Sequence, residues 1–176
     1  MPDAQRAWHS VILAAGIALL SGPSLALEAG KPVPDFEIAL MGGGSLTAAE
    51  LRGSVVVINL WATWCTFCRE EMPALESYYQ HHRDDGLRVI AVSMDDASAD
   101  AAAREVMKSF SYVGAVGRSS KLKGFGRIWR LPMTFVIDRN GILRKDGGEG
   151  DPKVDLAILE KEVTPLLQAG DDQRRP

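Results

Sequence analysis

Two cysteines are the residues of this chain whose type and spacing predict chemistry. Cys65 and Cys68 are the only cysteines among 176 residues, and Thr66 and Phe67 separate them. They lie where an apolar run, residues 55–61, gives way to a helical pattern, so we expect a helix to begin at the pair. Free N–H groups and the dipole at a helix start favour a thiolate over a thiol. Cys65 is therefore predicted to be the exposed nucleophile, and Cys68 the shielded partner that attacks the mixed disulfide.

Two other uses of the cysteine pair are a structural disulfide and a metal site. A disulfide that closes four residues stabilises a fold by only about 2 kcal/mol, against about 3 kcal/mol for a loop of about 15 residues. Zinc needs four ligands, and one Cys pair supplies two. His81 and His82 lie at the far end of the predicted helix, where we expect surface residues. A Cu(I)-binding module stays an alternative, because two thiolates suit that soft ion.

The bulk composition favours one soluble domain and argues against nucleic acid as a partner. Hydrophobic residues make up 46% of the chain and charged residues 24%, which suits a single globular core. The formal net charge is −3, and the basic residues are spread along the chain. Such a distribution creates no basic field for holding a phosphate backbone.

The first 26 residues resemble a secretory signal. Arg6 precedes an apolar stretch at 11–20, and a pattern of small residues ends at Ala26. We expect cleavage after Ala26 and a periplasmic or other extracytoplasmic location, where disulfides persist. The apolar stretch has about ten residues, whereas a bilayer-spanning helix needs roughly 20. An N-terminal membrane tether is therefore the weaker alternative.

The chain between the signal and the cysteines is predicted to form a strand and a short helix. Residues 36–40 alternate between apolar and other side chains, as a strand does. Thr47 and Glu50 have the spacing of a capping box, and Gly53 suits the position that ends a helix. These signals predict a short helix over 48–52. The apolar run at 55–61 is then a strand buried on both faces.

The chain after the cysteines alternates between helices and buried strands. The periodicity predicts a helix to about residue 82, a strand at 87–94, a helix at 99–110 and a strand at 133–137. Ala102, Val106 and Phe110 would form the buried face of the second helix. Residues 112–130 are predicted to be mostly loop, with a short helix starting at Ser119 or Ser120 as an option.

The C-terminal segment is predicted to add a hairpin and a last helix. Asn140-Gly141 is a strong hairpin signal, so residues 142–145 should return antiparallel to the preceding strand. Asp151-Pro152 is expected to open the helix. Its apolar stripe consists of Leu156, Leu159, Val163 and Leu166. Because crossovers between parallel strands are almost always right-handed, we expect a mixed sheet with helices on both faces.

The stretch from Val57 to Pro73, VINLWATWCTFCREEMP, closely resembles the thioredoxin-like proteins of the TlpA/ResA type. The resemblance extends to Pro34–Phe36, to Leu51–Gly53 and to Leu131–Asp138. It implies an α/β thioredoxin fold, whose central mixed β-sheet is flanked by helices, with an N-terminal strand and short-helix extension and an inserted helix.

The predicted domain organisation has three parts. Residues 1–26 form the secretory signal and residues 31–168 the thioredoxin-like domain. Residues 170–176, rich in charge and ending in proline, are expected to be a disordered tail.

The resemblance also implies a substrate-binding surface beside the cysteines. Pro132 would follow a cis peptide bond next to Cys65 and direct the Leu131 backbone toward the pair. An extended substrate peptide would then pair with Leu131 as an added strand. Trp64 would flank Cys65 as an apolar substrate contact. From the sequence alone, Pro132 is equally a strand-starting proline and Trp64 equally a core residue.

A glutamate is the third candidate catalytic residue. Thioredoxins proper carry a buried Asp where this chain has Asn59, and in ResA-like proteins a Glu three residues after the second cysteine is the corresponding group. Here that residue is Glu71. It lies one turn from Cys68 and would accept its proton if burial raised the pKa of the carboxyl group. The alternative is a solvated helix-surface residue, like its neighbour Glu70.

The activity that the resemblance implies is thiol-disulfide exchange by an exported enzyme, with no metal and no cofactor beyond the Cys65–Cys68 disulfide. Its substrates would be exported proteins, such as apocytochromes during cytochrome c maturation, and a membrane thiol transporter would be its electron donor. A disulfide oxidase or isomerase is the alternative, because Thr66-Phe67 replaces a dipeptide in which proline is common. A peroxidase is disfavoured because Ala62, not Thr, stands three residues before Cys65.

Overall fold

A seven-stranded mixed sheet runs through the part of the chain that the computed structural model describes, residues 27–172. Its strands are β1 Glu37–Leu40, β2 Ser45–Thr47, β3 Val55–Trp61, β4 Leu87–Ser93, β5 Val113–Lys121, β6 Met133–Ile137 and β7 Leu143–Lys145. Their order across the sheet is β2-β1-β5-β4-β3-β6-β7. The α-helices are α1 Thr66–His82, α2 Asp100–Met107, α3 Leu156–Glu162 and α4 Thr164–Asp172. The predicted signal, residues 1–26, lies outside the described residues.

β3 is an interior strand of the sheet and positions the cysteines at its end. It pairs in parallel with β4 and antiparallel with β6, and all seven of its residues are buried. Its side chains alternate between the two faces, since successive residues of a strand point in opposite directions. The apolar odd-numbered side chains face the α-helices and the even-numbered ones the opposite layer. The prediction of a strand buried on both faces is confirmed.

The α-helices pack on one face of the sheet, where the sequence predicts helices on both. The buried side chains of all four join one core cluster. Segments around Phe36 and Leu51 and the 3₁₀ turn Lys123–Phe125 cover the opposite face. The cause is the strand order: β3, β4 and β5 are consecutive, so two right-handed crossovers through α1 and α2 fall on the same side.

The predicted capping box forms, but the predicted helix at 48–52 is wrong. The Thr47 backbone N–H donates to the Glu50 carboxylate at 2.8 Å, and the Glu50 N–H donates to the Thr47 hydroxyl at 3.3 Å. Residues 48–53 then form turns, closed by a bond from the Arg52 N–H to the Ala49 carbonyl. Gly53 ends them with a φ of 83°. Too few residues separate the cap from this glycine for α-helical bonds to propagate.

The second helix is shorter than predicted, and its buried face is rotated by one residue. α2 ends at Met107, and Ala103 and Met107 are its buried residues, whereas Ala102 is exposed. Val106 and Phe110 pack against the core as predicted, although partly exposed. A run of three alanines carries no information about which of them faces the sheet, because their side chains are identical.

Residues 112–130 contain a strand that the sequence analysis missed. β5 pairs in parallel with β4 and antiparallel with β1, so the loop prediction is wrong for Val113–Lys121. A 3₁₀ turn, Lys123–Phe125, is the only helical element between β5 and β6. The strand contains Gly114 and Gly117, because a Cβ at either position would lie within 3.0 Å of a methionine sulfur. These glycines permit close packing but conceal the strand pattern.

The C-terminal segment confirms the hairpin and corrects the last helix. β7 returns antiparallel to β6 around Gly141, whose φ is 72°. The helix begins after Asp155, whose carboxylate accepts from the Ile158 N–H at 3.0 Å, and not at Asp151. It breaks at Val163 into α3 and α4, since Pro165 lacks the N–H that would continue it.

The buried apolar residues here are Leu159 on α3, Val163 between the two helices and Leu167 on α4, while Leu156 is exposed. The described part of α4 reaches Asp172, within the segment predicted to be a disordered tail. No helix of residues 27–172 combines the length and hydropathy needed to cross a bilayer.

Candidate active site

Cys65 and Cys68 form a disulfide at the N-terminus of α1, at the strand-to-helix junction that the sequence predicts. Cys65 is the N-cap residue, and its Sγ accepts a hydrogen bond from the Cys68 backbone N–H at 3.2 Å. An N–H group that points at this sulfur would stabilise a negative charge on it after reduction. The same bond to a neutral thiol is weaker, so the helix start favours ionisation of Cys65.

Both sulfur-bearing residues are buried, and this differs from the prediction of an exposed nucleophile. Cys65 is 6% exposed and Cys68 is 0% exposed. Cys65 is still the more accessible residue, because it lies at the end of α1 while Cys68 faces the core. The large apolar side chains exposed at this end of the helix are those of Trp64 and Phe67, at 72% and 74%.

A buried carboxylate holds the loop that leads into Cys65. Asp95 follows β4 and accepts hydrogen bonds from the Thr63 backbone N–H, at 3.0 and 3.1 Å, and from the Thr63 hydroxyl at 2.8 Å. The Ser93 hydroxyl donates to the same carboxylate at 2.8 Å. The backbone two residues before Cys65 is thus tied to the end of the neighbouring strand. Asp95 is not recognisable as a site residue from the sequence, because Thr63 lies 32 residues away along the chain.

Exposed aromatic side chains flank the disulfide on the chain. The exposure of Trp64 excludes the alternative that it is a core residue.

A further exposed residue, Trp129, was not predicted. Its neighbour Arg130 lies over the Trp129 ring at 4.8 Å and donates to the carbonyl oxygens of residues 147, 149 and 150. An aromatic residue in a stretch rich in glycine and basic residues is the sequence signal that would have drawn attention to it.

The Leu131–Pro132 peptide bond is cis, as the family resemblance implies. Pro132 is buried and directly precedes β6, so it is also the strand-starting proline of the alternative interpretation. Leu131 packs against both core clusters. Together with Phe67 and Glu71, the two residues line a cavity of about 480 Å³ that runs along α1 toward Val154.

Glu71 is buried on the inner side of α1, which excludes the solvated alternative. It is 5% exposed, whereas Glu70 is exposed. The Asn59 side-chain amide donates to its Oε1 at 2.7 Å, and the Val154 backbone N–H donates to its Oε2 at 3.2 Å. Burial raises the pKa of Glu71 from 4.5 to about 7, against the opposing effect of these two bonds and of the Lys145 charge. A carboxyl group with this pKa exchanges protons readily near neutrality.

Asn59 stands where thioredoxins proper carry a buried Asp, and no role was predicted for it from the sequence. Its amide donates to Thr134 Oγ1 at 2.9 Å as well as to Glu71. Its own Oδ1 is buried and has no hydrogen-bond partner among residues 27–172. One polar residue within an otherwise apolar buried run, 55–61, is the signal that would have found it.

Comparison with known proteins gives a consistent set of similarities. The model of the AhpC/TSA family matches residues 29–146. The thiol-disulfide oxidoreductase ResA of Bacillus cereus is 28% identical over 142 residues, 79% of this chain and 80% of that protein. The thioredoxin-like protein YneN of Bacillus subtilis is 26% identical over 126 residues, 70% of this chain and 74% of that protein.

Solved structures show the same relationship. A crystal structure from Chlorobium tepidum, assigned as a thiol:disulfide interchange protein DsbE, matches with a TM-score of 0.68 and 26% identity. The match covers 81% of this chain and 99% of that chain.

Proposed function

The chain belongs to the AhpC/TSA family and is a thiol-disulfide oxidoreductase with a Cys65–Cys68 redox pair, and from this premise we propose that it reduces disulfides in other exported proteins. The observation that carries the proposal is the disulfide that caps α1, with the Cys68 N–H donating to Cys65 Sγ. Similarity to the thiol-disulfide oxidoreductase ResA over most of both chains supports exchange between thiols and disulfides. Cytochrome c maturation, with apocytochromes as substrates, is the process proposed.

The proposed reaction has two exchange steps. The Cys65 thiolate attacks one sulfur of the substrate disulfide, and the other substrate sulfur leaves and takes up a proton. Cys68 then loses its proton to Glu71 and attacks the Cys65 sulfur, which releases the second substrate sulfur as a thiolate; this sulfur takes up a proton from solvent, so that both substrate sulfurs end as thiols. Two electrons pass to the substrate, and the Cys65–Cys68 disulfide forms. A membrane thiol transporter is the proposed donor that reduces it again.

Exposed apolar side chains around the pair are proposed to bind the substrate. Trp64 and Phe67 present large apolar surfaces to solvent beside buried sulfurs. The Leu131 backbone, at the cis peptide, is proposed to pair with an extended substrate segment, as in strand addition. This arrangement recognises main chain and apolar surface, which suits an enzyme that acts on several proteins.

Trapping of a mixed disulfide tests the proposed reaction and identifies its substrates. Cys68→Ser should accumulate complexes joined through Cys65, because the thiol that resolves the mixed disulfide is absent. The matched control, Cys65→Ser with Cys68 intact, should trap far less, since Cys68 is fully buried. Equal trapping by both variants would overturn the assignment of Cys65 as the nucleophile.

The redox potential separates the reductase from the oxidase alternative. A value near about −270 mV supports reduction of substrates, whereas one near about −120 mV makes the protein an oxidant. Equilibration with glutathione buffers, followed by alkylation of free thiols, measures this potential.

Export is proposed from the sequence of the first 26 residues and needs its own test. The mature protein isolated from the source cells should begin at Leu27 and fractionate outside the cytoplasm. An intact N-terminus in the membrane fraction would favour the tether instead.

A further inference from the structure

Asn59 occupies a position where an amide is costly. It lies on β3 in the row of side chains that faces α1, between Val57 and Trp61, and is fully buried. Burying an amide without hydrogen bonds costs about 1–3 kcal/mol in proteins. An apolar residue of similar size would avoid this cost, so the contacts of the amide indicate what it does.

The Asn59 amide is held from the sheet and directed at the helix. Thr134 is its direct partner across the β3–β6 pairing, and the Thr134 Oγ1 lies 2.9 Å from Asn59 Nδ2. The same nitrogen donates to Glu71 Oε1 at 2.7 Å. Its N–H groups are therefore used, whereas its carbonyl oxygen has no partner among the described residues. A donor directed at a carboxylate favours the ionised carboxylate over the protonated form.

The second oxygen of Glu71 is fixed from the opposite side. The Val154 backbone N–H, in the segment before α3, donates to Oε2 at 3.2 Å. Glu71 is thus held between the sheet and this segment, one helical turn after Cys68. Rotation of the Glu71 side chain away from that position would break both bonds.

We propose that Asn59 is a positioning residue, which holds the Glu71 carboxylate on the inner side of α1 and stabilises its ionised form, with Thr134 fixing the amide. The consequence for Cys68 rests on the proposed function, in which Glu71 accepts the Cys68 proton. An ionised Asp at position 59 would have no N–H to donate to Glu71. Asn has nearly the same size as Asp and supplies that donor, so it can hydrogen-bond to a glutamate on the facing helix.

Other charged groups near Glu71 come from several elements. The Lys145 charge on β7 lowers the pKa of Glu71, whereas burial, followed by the charges of Glu76 and Glu71, raises the pKa of Tyr112. The cavity beside Glu71 is also lined by charged residues of α1 and the segment before α3, namely Glu70, Asp151, Lys153 and Asp155. None of these side chains donates a hydrogen bond to the Glu71 carboxylate among the described residues; Asn59 is the side chain that does.

Carbon-13 NMR titration of the Glu71 carboxyl group tests the proposal directly. The oxidised protein is used, since neither cysteine titrates in it, and the resonance is assigned by its loss in Glu71→Gln. Asn59→Leu keeps the branched shape but removes the donor, and should raise the titration midpoint by about one pH unit, a tenfold change in the protonation equilibrium. An unchanged or lower midpoint would overturn the proposal.

Two further variants keep the proposal testable if Asn59→Leu does not fold. Thr134→Val removes the hydroxyl that fixes the amide and should raise the midpoint by a smaller amount. Thr164→Val removes a similar hydroxyl, one that bonds to Tyr78 at 2.7 Å between α4 and α1 and not to Asn59 or Glu71, and should leave the midpoint unchanged. If Asn59→Leu does not fold, Thr134→Val decides: a rise supports the proposal, and an unchanged midpoint overturns it.

The pH dependence of exchange separates this proposal from the role proposed for Glu71. In single-turnover reduction of a model disulfide, the rate should depend on pH with a midpoint set by Glu71. Asn59→Leu should move this midpoint to higher pH by the same amount as the NMR midpoint, and Glu71→Gln should abolish this part of the pH dependence. If Asn59→Leu shifts the NMR midpoint of Glu71 but neither variant changes the pH dependence of the exchange rate, Asn59 is supported as the positioning residue and Glu71 is contradicted as the proton acceptor. A purely structural role of Asn59 would lower stability without moving the midpoint.

Discussion

We expect the oxidised protein to lose stability between about pH 5 and 8, and Glu71→Gln to remove most of that loss. Burial raises the pKa of Glu71 from 4.5 to about 7 in the folded chain. Between these values the folded chain keeps a proton that the unfolded chain releases. The stability contributed by the neutral carboxyl group is therefore complete below pH 4.5 and is lost as the pH rises through 7.

The magnitude follows from the size of the pKa shift. At about 1.36 kcal/mol per unit, it corresponds to about 3 kcal/mol over the full range, and to about 2–3 kcal/mol between about pH 5 and 8. Gln stays neutral at every pH, so this part of the pH dependence of the free energy of unfolding disappears. Any mismatch between the Gln amide and the donors Asn59 and Val154 is independent of pH and shifts the whole curve instead.

Urea unfolding of oxidised wild type and Glu71→Gln across this pH range is the assay. With a slope of about 2 kcal/mol per molar, the difference between the two midpoints should change by about 1 M. Glu70→Gln is the matched control, because Glu70 is exposed and its substitution should change the pH dependence by less than about 0.5 kcal/mol. Parallel curves for wild type and Glu71→Gln would refute the reasoning, since they would mean that burial does not hold a proton on Glu71.

Three other predictions concern the loop, the surface and the sulfurs of the site. Asp95→Ala should lower the free energy of unfolding by about 1–3 kcal/mol, because the half-buried Thr63 N–H loses its acceptor, and should slow disulfide exchange; urea unfolding and stopped-flow reduction measure the two effects. Trp64→Ala and Phe67→Ala should change stability by less than about 0.5 kcal/mol but raise KM for protein disulfides and not for a small disulfide, since both side chains are exposed. In the reduced protein, alkylation across a pH series should give Cys65 a pKa below about 8.5, and a free-cysteine profile would contradict stabilisation by the helix start.

The redox pair and its immediate setting could be predicted from the sequence. The apolar run of β3, the helical spacing after Cys68 and the Asn140-Gly141 turn are signals within a few residues, and each produced the expected element. The cis bond before Pro132 came from the family resemblance, because no local pattern distinguishes it from an ordinary strand-starting proline.

Elements whose structure depends on distant partners were predicted poorly. β5 forms because β4 and β1 lie on either side of it, although its glycines and polar residues favour a loop locally. The turns after Thr47 have a good helix cap, but the chain must reach β3 within a few residues.

Local sequence determined that two sulfurs lie at a helix start, since strand and helix periodicity and cap geometry act over a few residues. Tertiary structure decided the environment of the neighbouring acids. Glu70 and Glu71 are adjacent and chemically identical, and only the packing of α1 on the sheet makes one a surface residue and the other a buried carboxyl group. Burial raises the pKa of Glu71, and hydrogen bonds from Asn59 and Val154, which lie 12 and 83 residues away along the chain, oppose that rise.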